Sequence, residues 1–469
     1  MIFKPSYVES REGRFLLPKV VKATGSSCLC EEIFAELWHS FSFEKSVVEV
    51  TPADGFVFKV GEAETPDLKD FDFAILAQPS GIAVAAKDAR ELRHAFFTLL
   101  DMIKIDIDDD DAVSLDCCLV RERARIPTRM VHFCVFPETE LWELERFVRF
   151  AAALRYTHVI VEFWGMLKYD CLRELAWESA YTKEQIAPIV EEARKLGIAL
   201  VPMFNHWGHA AGSRVKHGKH VVLDQNPALE GYFTDYGWCW NIKKPKVKAL
   251  LSKIRDELFA LFPDSEYFRV GCDEAYGFDL TKRENCDLIT DYLNEISESV
   301  KEKGKRLIAW GDMFIHKSCD FNPENNYTCL CPTSESQDYL LSRLDRDIVI
   351  ADWQYDSKYA PVETSAVFKN AGFDVMICPW DRSLENVIAC TETAKSERLF
   401  GILHTTWHTL SSGMPMVTVA AVRCYSNELN FAFGTRSTAT AALLRRVYPS
   451  NGIYSRTGWS KKQIDDITD

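Results

Sequence analysis

The sequence predicts an α/β fold: a (β/α)8 TIM-type barrel preceded by a small N-terminal α/β domain. Three observations carry this expectation. Beyond Ile126, short β-rich runs alternate regularly with longer amphipathic stretches, and the strand-like runs number eight. Strands that alternate with helical stretches form parallel sheets, and eight such units in succession suit a closed barrel. The alternative, a doubly wound open sheet with a glycine-rich phosphate turn, lacks its GxGxxG signature here.

The eight candidate strands are residues 129–135, 158–163, 198–204, 267–271, 306–310, 347–351, 374–378 and 401–404. Helical periodicity falls between them at 141–154, 183–196, 247–261, 287–303 and 384–396. A long insertion, 205–246, has little periodicity and much Gly, His and Trp. Upstream, apolar runs near 47–50, 56–60, 73–76 and 82–86 read as strands, and 88–102 carries apolar residues at helical spacing. The expected division is therefore 1–123 for the N-terminal domain and 124–469 for the barrel with a C-terminal helical tail. The acidic run 108–111 reads as a solvated turn near the boundary, because no glycine and bidentate glutamate follow at calcium-loop spacing.

Composition narrows the class of partner. Among 469 residues, 47% are hydrophobic, which is ample material for a buried core and excludes a disordered chain. Lys and Arg total 55 against 69 Asp and Glu, a net charge of −14 that disfavours nucleic acid. No run approaches the ~18 apolar residues of a membrane span, and residues 1–14 lack the apolar core of a secretory leader. The 15 cysteines are odd in number, contain no CxxC pair, and include only close pairs such as Cys28 with Cys30 and Cys329 with Cys331. Reduced thiols and a cytoplasmic location are expected for the chain as it stands, with secretion only if a leader had been removed. Nothing in the sequence specifies an oligomeric state.

In a barrel of this type, function gathers at the C-terminal strand ends. Trp164, Trp310, Trp353, Trp380 and Trp407 fall at or just past strand ends, and Trp207, Trp238 and Trp240 lie in the loop after strand three. A single tryptophan often only fills gaps between barrel and helices. A set at one rim points to a carbohydrate, since indole faces pack on the C–H faces of sugars. The fourth strand runs Arg269-Val270-Gly271-Cys272-Asp273-Glu274 and ends in two adjacent carboxylates, a candidate acid/base pair or the start of the next helix. His206, His209, His217 and His220 invite a zinc reading, but two HxxH pairs without a defined Cys or carboxylate set are weak evidence. No metal and no cofactor are expected.

These residues resemble the family-20 glycoside hydrolases, the β-N-acetylhexosaminidases, and particularly a divergent intracellular-type branch. The strand-four signature of that family, roughly His-x-Gly-Gly-Asp-Glu, is similar to Arg269–Glu274. The resemblance implies that Asp273 orients the substrate's 2-acetamido group and that Glu274 protonates the departing oxygen. It also implies that Arg129 grips sugar hydroxyls, that His209 within Asn205-His206-Trp207-Gly208-His209 belongs to the family's Pro-Gly-His turn, and that Trp310, Trp353 and Trp407 box the acetamido methyl and the sugar face. Trp380 and Asp381 are included as substrate-binding, Asp381 standing where many members have a tyrosine. Met203 and Asn205 stand in place of an acidic pair, Arg269 in place of a histidine and Thr409 in place of a glutamate, which bears on GlcNAc against GalNAc preference.

The expected activity is release of a terminal β-linked N-acetylhexosamine with retention, the substrate's own acetamido oxygen acting as nucleophile. The competing readings are a non-catalytic sugar-binding barrel and a metal-dependent hydrolase using the loop histidines. The expected partner is an N-acetylhexosamine-terminated glycan, with no nucleic acid and no membrane.

Overall fold

The computed structural model describes residues 3–426, apart from 19, 27–46, 51–54, 107–111, 212–218 and 408–409, together with 439–441 and 443–444. The acidic run 108–111, the Cys28 and Cys30 pair and the tail beyond 444 lie outside the described residues.

The first part of the chain builds a mixed sheet. Its strands are β1 (Tyr7–Leu16), β2 (Lys22–Gly25), β3 (Val47–Val50), β4 (Phe56–Gly61), β5 (Phe73–Gln78), β6 (Gly81–Ala86), β7 (Lys104–Asp106) and β8 (Ala112–Glu122). They lie in the order β1-β8-β5-β6-β4-β2-β3, with β7 beside β8. Helix α1 (Ala89–Met102) starts where the Asp88 side chain accepts the Glu91 N–H, as a helix start requires. It buries Leu92, Ala95, Phe96 and Leu99 among sheet residues such as Phe58, whose ring centre lies 4.5 Å from that of Phe96. β1 was not expected: its first eight residues all lie exposed and are mostly polar, so it shows no apolar alternation at an edge of the sheet.

The barrel strands are β9 (Thr128–Val135), β10 (His158–Phe163), β11 (Ala199–Met203), β14 (Tyr267–Gly271), β15 (Arg306–Trp310), β16 (Val349–Trp353), β17 (Val375–Cys378) and β18 (Gly401–His404), with the short pair β12 (Phe233–Thr234) and β13 (Cys239–Trp240) in the long loop. The eight parallel strands close in sequence order, β18 pairing with β9. The helices are α2 (Leu141–Ala153), α3 (Lys183–Lys195), α4 (Val222–Gln225), α5 (Pro245–Leu261), α6 (Arg283–Lys301), α7 (Ser334–Arg343), α8 (Glu363–Asn370), α9 (Leu384–Ser396) and α10 (Leu410–Arg423). α7 and α8 were missed by the periodicity, because each is short and buries only two or three side chains.

Strand pleating sorts side chains by parity. Met130, Ile160, Val201, Ile308, Val349, Met376 and Leu403 form one core inside the barrel. Val131, Phe133, Val159, Val161 and Phe268 belong to a second core shared with the helices. On the same parity as the inner core, nearer the mouth, come His132, Glu162 and Arg269, so the layer beneath the mouth is polar.

Parity and position together correct the expectation for Arg129. It is the second residue of β9 and adjoins the inward Met130, so it points outward at the N-terminal end, roughly 20 Å of strand below the mouth at ~3.3 Å per residue. Its Nε donates to the Arg155 carbonyl at 2.9 Å, and Nη1 donates to those of Ile126 and Pro127 at 3.0 and 2.8 Å. Its guanidinium stands 5.0 Å from the centre of the Tyr425 ring. Arg129 therefore ties the base of the barrel together. Arg129→Met is expected to lower unfolding stability by about 3 kcal/mol, since three carbonyl acceptors lose a buried charged donor, with a lower urea midpoint and unchanged ligand binding at the opposite end.

Candidate active site

The site is built on the end of β14. Gly271, Cys272 and Glu274 all have positive φ, at 70°, 75° and 50°. This left-handed turning of the backbone breaks the strict alternation of the strand, and a register shift against β15 occurs at the same place. Consecutive carboxylates, which regular pleating would send to opposite faces, thus reach one cavity. Gly208 makes room for them: a Cβ built there would lie 1.9 Å from the Asp273 carbonyl oxygen.

His209 joins the two acids. Its Nε2 lies 2.9 Å from Glu274 Oε2 and 3.2 Å from Asp273 Oδ2. Burial opposes charge on this ring, but the charge and hydrogen bond of Asp273, with the bond to Glu274, raise its pKa to about 9. Burial likewise works against an ionised Asp273, and His209 and Lys219 outweigh it, bringing the carboxyl down to about 2. Asn205 Nδ2 donates to Asp273 Oδ1 at 3.3 Å, so the amide that replaces an acid in the family pattern contacts the same group.

Asp312 holds the pair from behind. Its Oδ2 accepts the Glu274 backbone N–H at 2.9 Å and its Oδ1 accepts Trp353 Nε1 at 3.1 Å. Burial and the nearby Asp273 raise this carboxyl to about 8. Trp238 Nε1 donates to the Glu274 carbonyl at 2.6 Å, and the Tyr276 hydroxyl donates to Glu274 Oε1.

Together these groups open into a cavity of about 320 Å³ lined by Trp164, Trp310, Trp353, Tyr355, Trp380 and Trp407, with His209, Lys219, Asp273 and Glu274. Trp407 Nε1 donates to the Tyr355 hydroxyl at 3.0 Å, which fixes two of the walls against each other. Arg269 lies under the floor with its guanidinium 3.6 Å from the centre of the Trp310 ring, a cation–π contact in place of the histidine of the family pattern.

Of the residues the sequence singled out, the structure brings Asp273, Glu274, His209, Trp310, Trp353, Trp380 and Trp407 to this cavity. It does not bring Arg129, which sits at the barrel base. Nor does it bring Asp381 into the lining: its carboxylate packs against Gly413 of α10, where a Cβ would lie 1.8 Å from Oδ2, so this acid faces a helix. The phenol in the wall comes instead from Tyr355, after β16. Trp207 and Trp240 are 0% and 1% exposed and belong to the core under the long loop, not to the rim. Thr409 and His217 lie outside the described residues.

The other loop histidines diverge. His206 Nδ1 is 2.7 Å from the Phe204 carbonyl, and His220 stacks flat on the Phe204 ring at 3.8 Å. Among the described residues, two trios do place possible ligand atoms within 4.8 Å of one another, His209 with Asp273 and Glu274, and His132 with Cys134 and Glu162. In both, the members are already engaged: His209 with the two acids, and Glu162 with His132 at 3.1 Å and Lys219 at 3.0 Å. Sequence reasoning missed Glu162, Asp312 and Tyr355, although each stands two residues from a rim tryptophan and shares its parity. Lys219 gave no such signal, because it lies in the aperiodic loop.

A parallel barrel whose strand ends bring a carboxylate pair, an imidazole and an indole-lined cavity together is suited to holding a carbohydrate. Residues 165–383 match the model of the glycosyl hydrolase family 20 catalytic domain. A curated relative, the lacto-N-biosidase of Bifidobacterium bifidum, is 24% identical over 192 residues, covering 37% of this chain and 16% of the relative's length. Among solved structures, the family 20 exo β-N-acetylglucosaminidase of Vibrio harveyi is similar over 95% of this chain and 77% of its own, with TM-score 0.67 and 15% identity. The chitobiase of Flavobacterium johnsoniae is similar over 94% and 72%, with TM-score 0.69 and 17% identity. The β-hexosaminidase of Streptomyces plicatus is similar over 97% and 94%, with TM-score 0.67 and 13% identity. At these identities the solved structures establish the fold. The family 20 match spans part of the chain, from β11 to β17, and includes Asp273 and Glu274. No helix among the described residues is long and apolar enough to cross a membrane.

The raised pKa of His209 has a consequence for stability. A folded value of about 9, against ~6.5 for an unfolded imidazole, contributes up to about 3 kcal/mol. This contribution is complete below pH ~6.5 and is lost as pH rises through about 9. In urea unfolding, the advantage of wild type over His209→Gln should shrink steadily between those limits. A difference that stays constant with pH would mean that the ring is neutral throughout.

Proposed function

We propose that the protein is an exo-acting, retaining β-N-acetylhexosaminidase that releases a terminal β-linked GlcNAc or GalNAc by substrate-assisted catalysis. One observation carries this function. Asp273 and Glu274 are the only carboxylates among the described lining residues, they are consecutive, and one imidazole nitrogen contacts both. Two acids so placed cannot flank a glycosidic bond from opposite sides, as a nucleophile and acid pair must. The facing walls are indoles, which bind a sugar face and its acetamido methyl but cannot attack C1. The nucleophile is then the acetamido oxygen of the substrate.

In this scheme the ionised Asp273 accepts the acetamido N–H, turns the carbonyl oxygen towards C1, and stabilises the positive charge that grows on the cyclic intermediate. Glu274 gives its proton to the leaving oxygen and then takes one from the water that opens the ring. His209 and Asp312 fix both acids in register. A cavity of about 320 Å³ is at the small end of ligand pockets, which suits one sugar ring and an exo mode of action. No cofactor enters any step.

The test is Glu274→Gln on an unactivated N-acetylglucosaminyl disaccharide. Turnover should fall by about 10²–10⁴, because the amide cannot protonate the leaving group, while an aryl glycoside with a good leaving group should lose less. Asp273→Asn should depress kcat more than it raises KM, and a thiazoline analogue should compete with substrate. Wild type that fails to hydrolyse aryl N-acetyl-β-glycosides would favour the sugar-binding barrel. Activity lost on chelation and restored by zinc would move the chemistry to the histidines.

A further inference from the structure

With Arg129 at the base of the barrel, the mouth has to take its donors for sugar hydroxyls from elsewhere. Among the described lining residues, the only polar side chains outside the His209–Asp273–Glu274 set, indole N–H groups aside, are Tyr355 and Lys219. The Tyr355 hydroxyl already accepts from Trp407.

Lys219 is set into the wall rather than hung on the surface. It is 2% exposed, and its backbone N–H donates to the His209 carbonyl at 3.3 Å. The next residue, His220, donates its N–H to the Ala210 carbonyl at 3.0 Å, and its ring lies 10° from the plane of Phe204. The ammonium reaches Glu162 Oε1 at 3.0 Å and stands 4.6 Å from the centre of the Trp407 ring and 5.6 Å from that of Trp164. Glu162 is fully buried and meets His132 through its other oxygen at 3.1 Å, so it supplies a fixed counter-charge. An ammonium has three N–H donors, and one carboxylate oxygen satisfies only one of them. The flanking indole faces attract the cation without offering it a lone pair. Donors remain for whatever fills the cavity.

The order of strands fixes which part of a sugar they meet. Asp273 and Glu274 follow β14, and Trp310 and Trp353 end β15 and β16. Glu162 is on β10 and Trp407 follows β18, on the other side of the ring of strands, with β9 between them. A sugar held with C1 at Glu274 and its acetamido arm at Asp273 turns its C3–C4 edge to that second wall.

We propose that Lys219, neutralised by Glu162, is the residue that binds the 3- and 4-hydroxyls of the terminal sugar. The assignment rests on the glycosidase function proposed for the chain. A charged donor lost to a ring hydroxyl costs about 10–100-fold in affinity. In wild type, the 3-deoxy or 4-deoxy analogue of an aryl N-acetyl-β-glucosaminide should therefore lose about 10–100-fold in kcat/KM relative to the parent sugar. In Lys219→Met the parent should lose a similar factor, and the deoxy penalty should collapse to about threefold or less, while the 6-deoxy penalty stays at its wild-type value. Lys219→Arg, which keeps a charged donor, should recover part of the 3- or 4-deoxy penalty.

Should Lys219→Met not fold because Glu162 is left as a lone buried charge, Lys219→Met with Glu162→Gln removes both charges, and the same penalties are read on it. Deoxy penalties that persist unchanged in either variant would overturn the proposal and leave Lys219 as the counter-ion of Glu162 alone. Absence of turnover of both the GlcNAc and the GalNAc aryl glycosides by wild type would instead sink the glycosidase function itself.

Discussion

Charge withdrawn from water has to be matched, and at the mouth of this barrel five charge-bearing side chains are buried together. Glu162, Lys219, His209, Arg269 and Asp273 are each no more than 8% exposed. A lone ion at such a depth would neutralise or unfold its surroundings. Here each has an opposite charge or an aromatic face within contact: Lys219 meets Glu162, His209 meets Asp273, and Arg269 lies on Trp310. The mutual compensation keeps Asp273 ionised beside an imidazolium in a cavity walled by indoles. The tryptophans wall the same cavity with apolar faces, which lower the dielectric in which the charges act.

The strand end that carries the acids departs from regular geometry for a reason that packing makes visible. Three of the four residues Gly271–Glu274 adopt positive φ, and two of these three are not glycine. Such conformations persist where the surroundings determine them. The surroundings are the Gly208 backbone against the Asp273 carbonyl, Asp312 accepting the Glu274 N–H, and Trp238 donating to the Glu274 carbonyl. The strain places both carboxylates on one side of the cavity, the placement on which the proposed substrate-assisted route rests.

The N-terminal sheet meets the barrel near its base, away from this chemistry. Arg93 of α1 donates to the Lys195 carbonyl at 2.7 Å, and Arg155 lies 3.5 Å from Glu122 and 3.9 Å from the centre of the Phe3 ring. Arg155 follows α2, so the same element that ends a barrel crossover anchors the last strand of the sheet. Together with Arg129 these contacts stabilise the closed end, and the open end is free to hold polar groups.

The barrel itself was legible in the sequence because its cause is local. Apolar runs of strand length alternate with amphipathic stretches of helix length, and residues 158–163, 267–271, 306–310 and 401–404 form strands at the expected bounds. The aromatic rim and the Asp273-Glu274 pair were legible for the same reason, since the residues at a strand's end and just past it are neighbours along the chain. What the sequence could not decide is direction and partnership. Arg129 and Asp381 carried the right chemistry, and only pleat parity and the packing of α10 against the mouth turned them away from it. Tyr355, Asp312 and Glu162 lie in sequence far from the groups they touch, and Lys219 comes from a loop with no periodicity to place it. Their roles arise from the side-by-side packing of strand ends and of the long loop at the mouth, which brings Asp312 to Glu274, Tyr355 to Trp407 and Lys219 to Glu162.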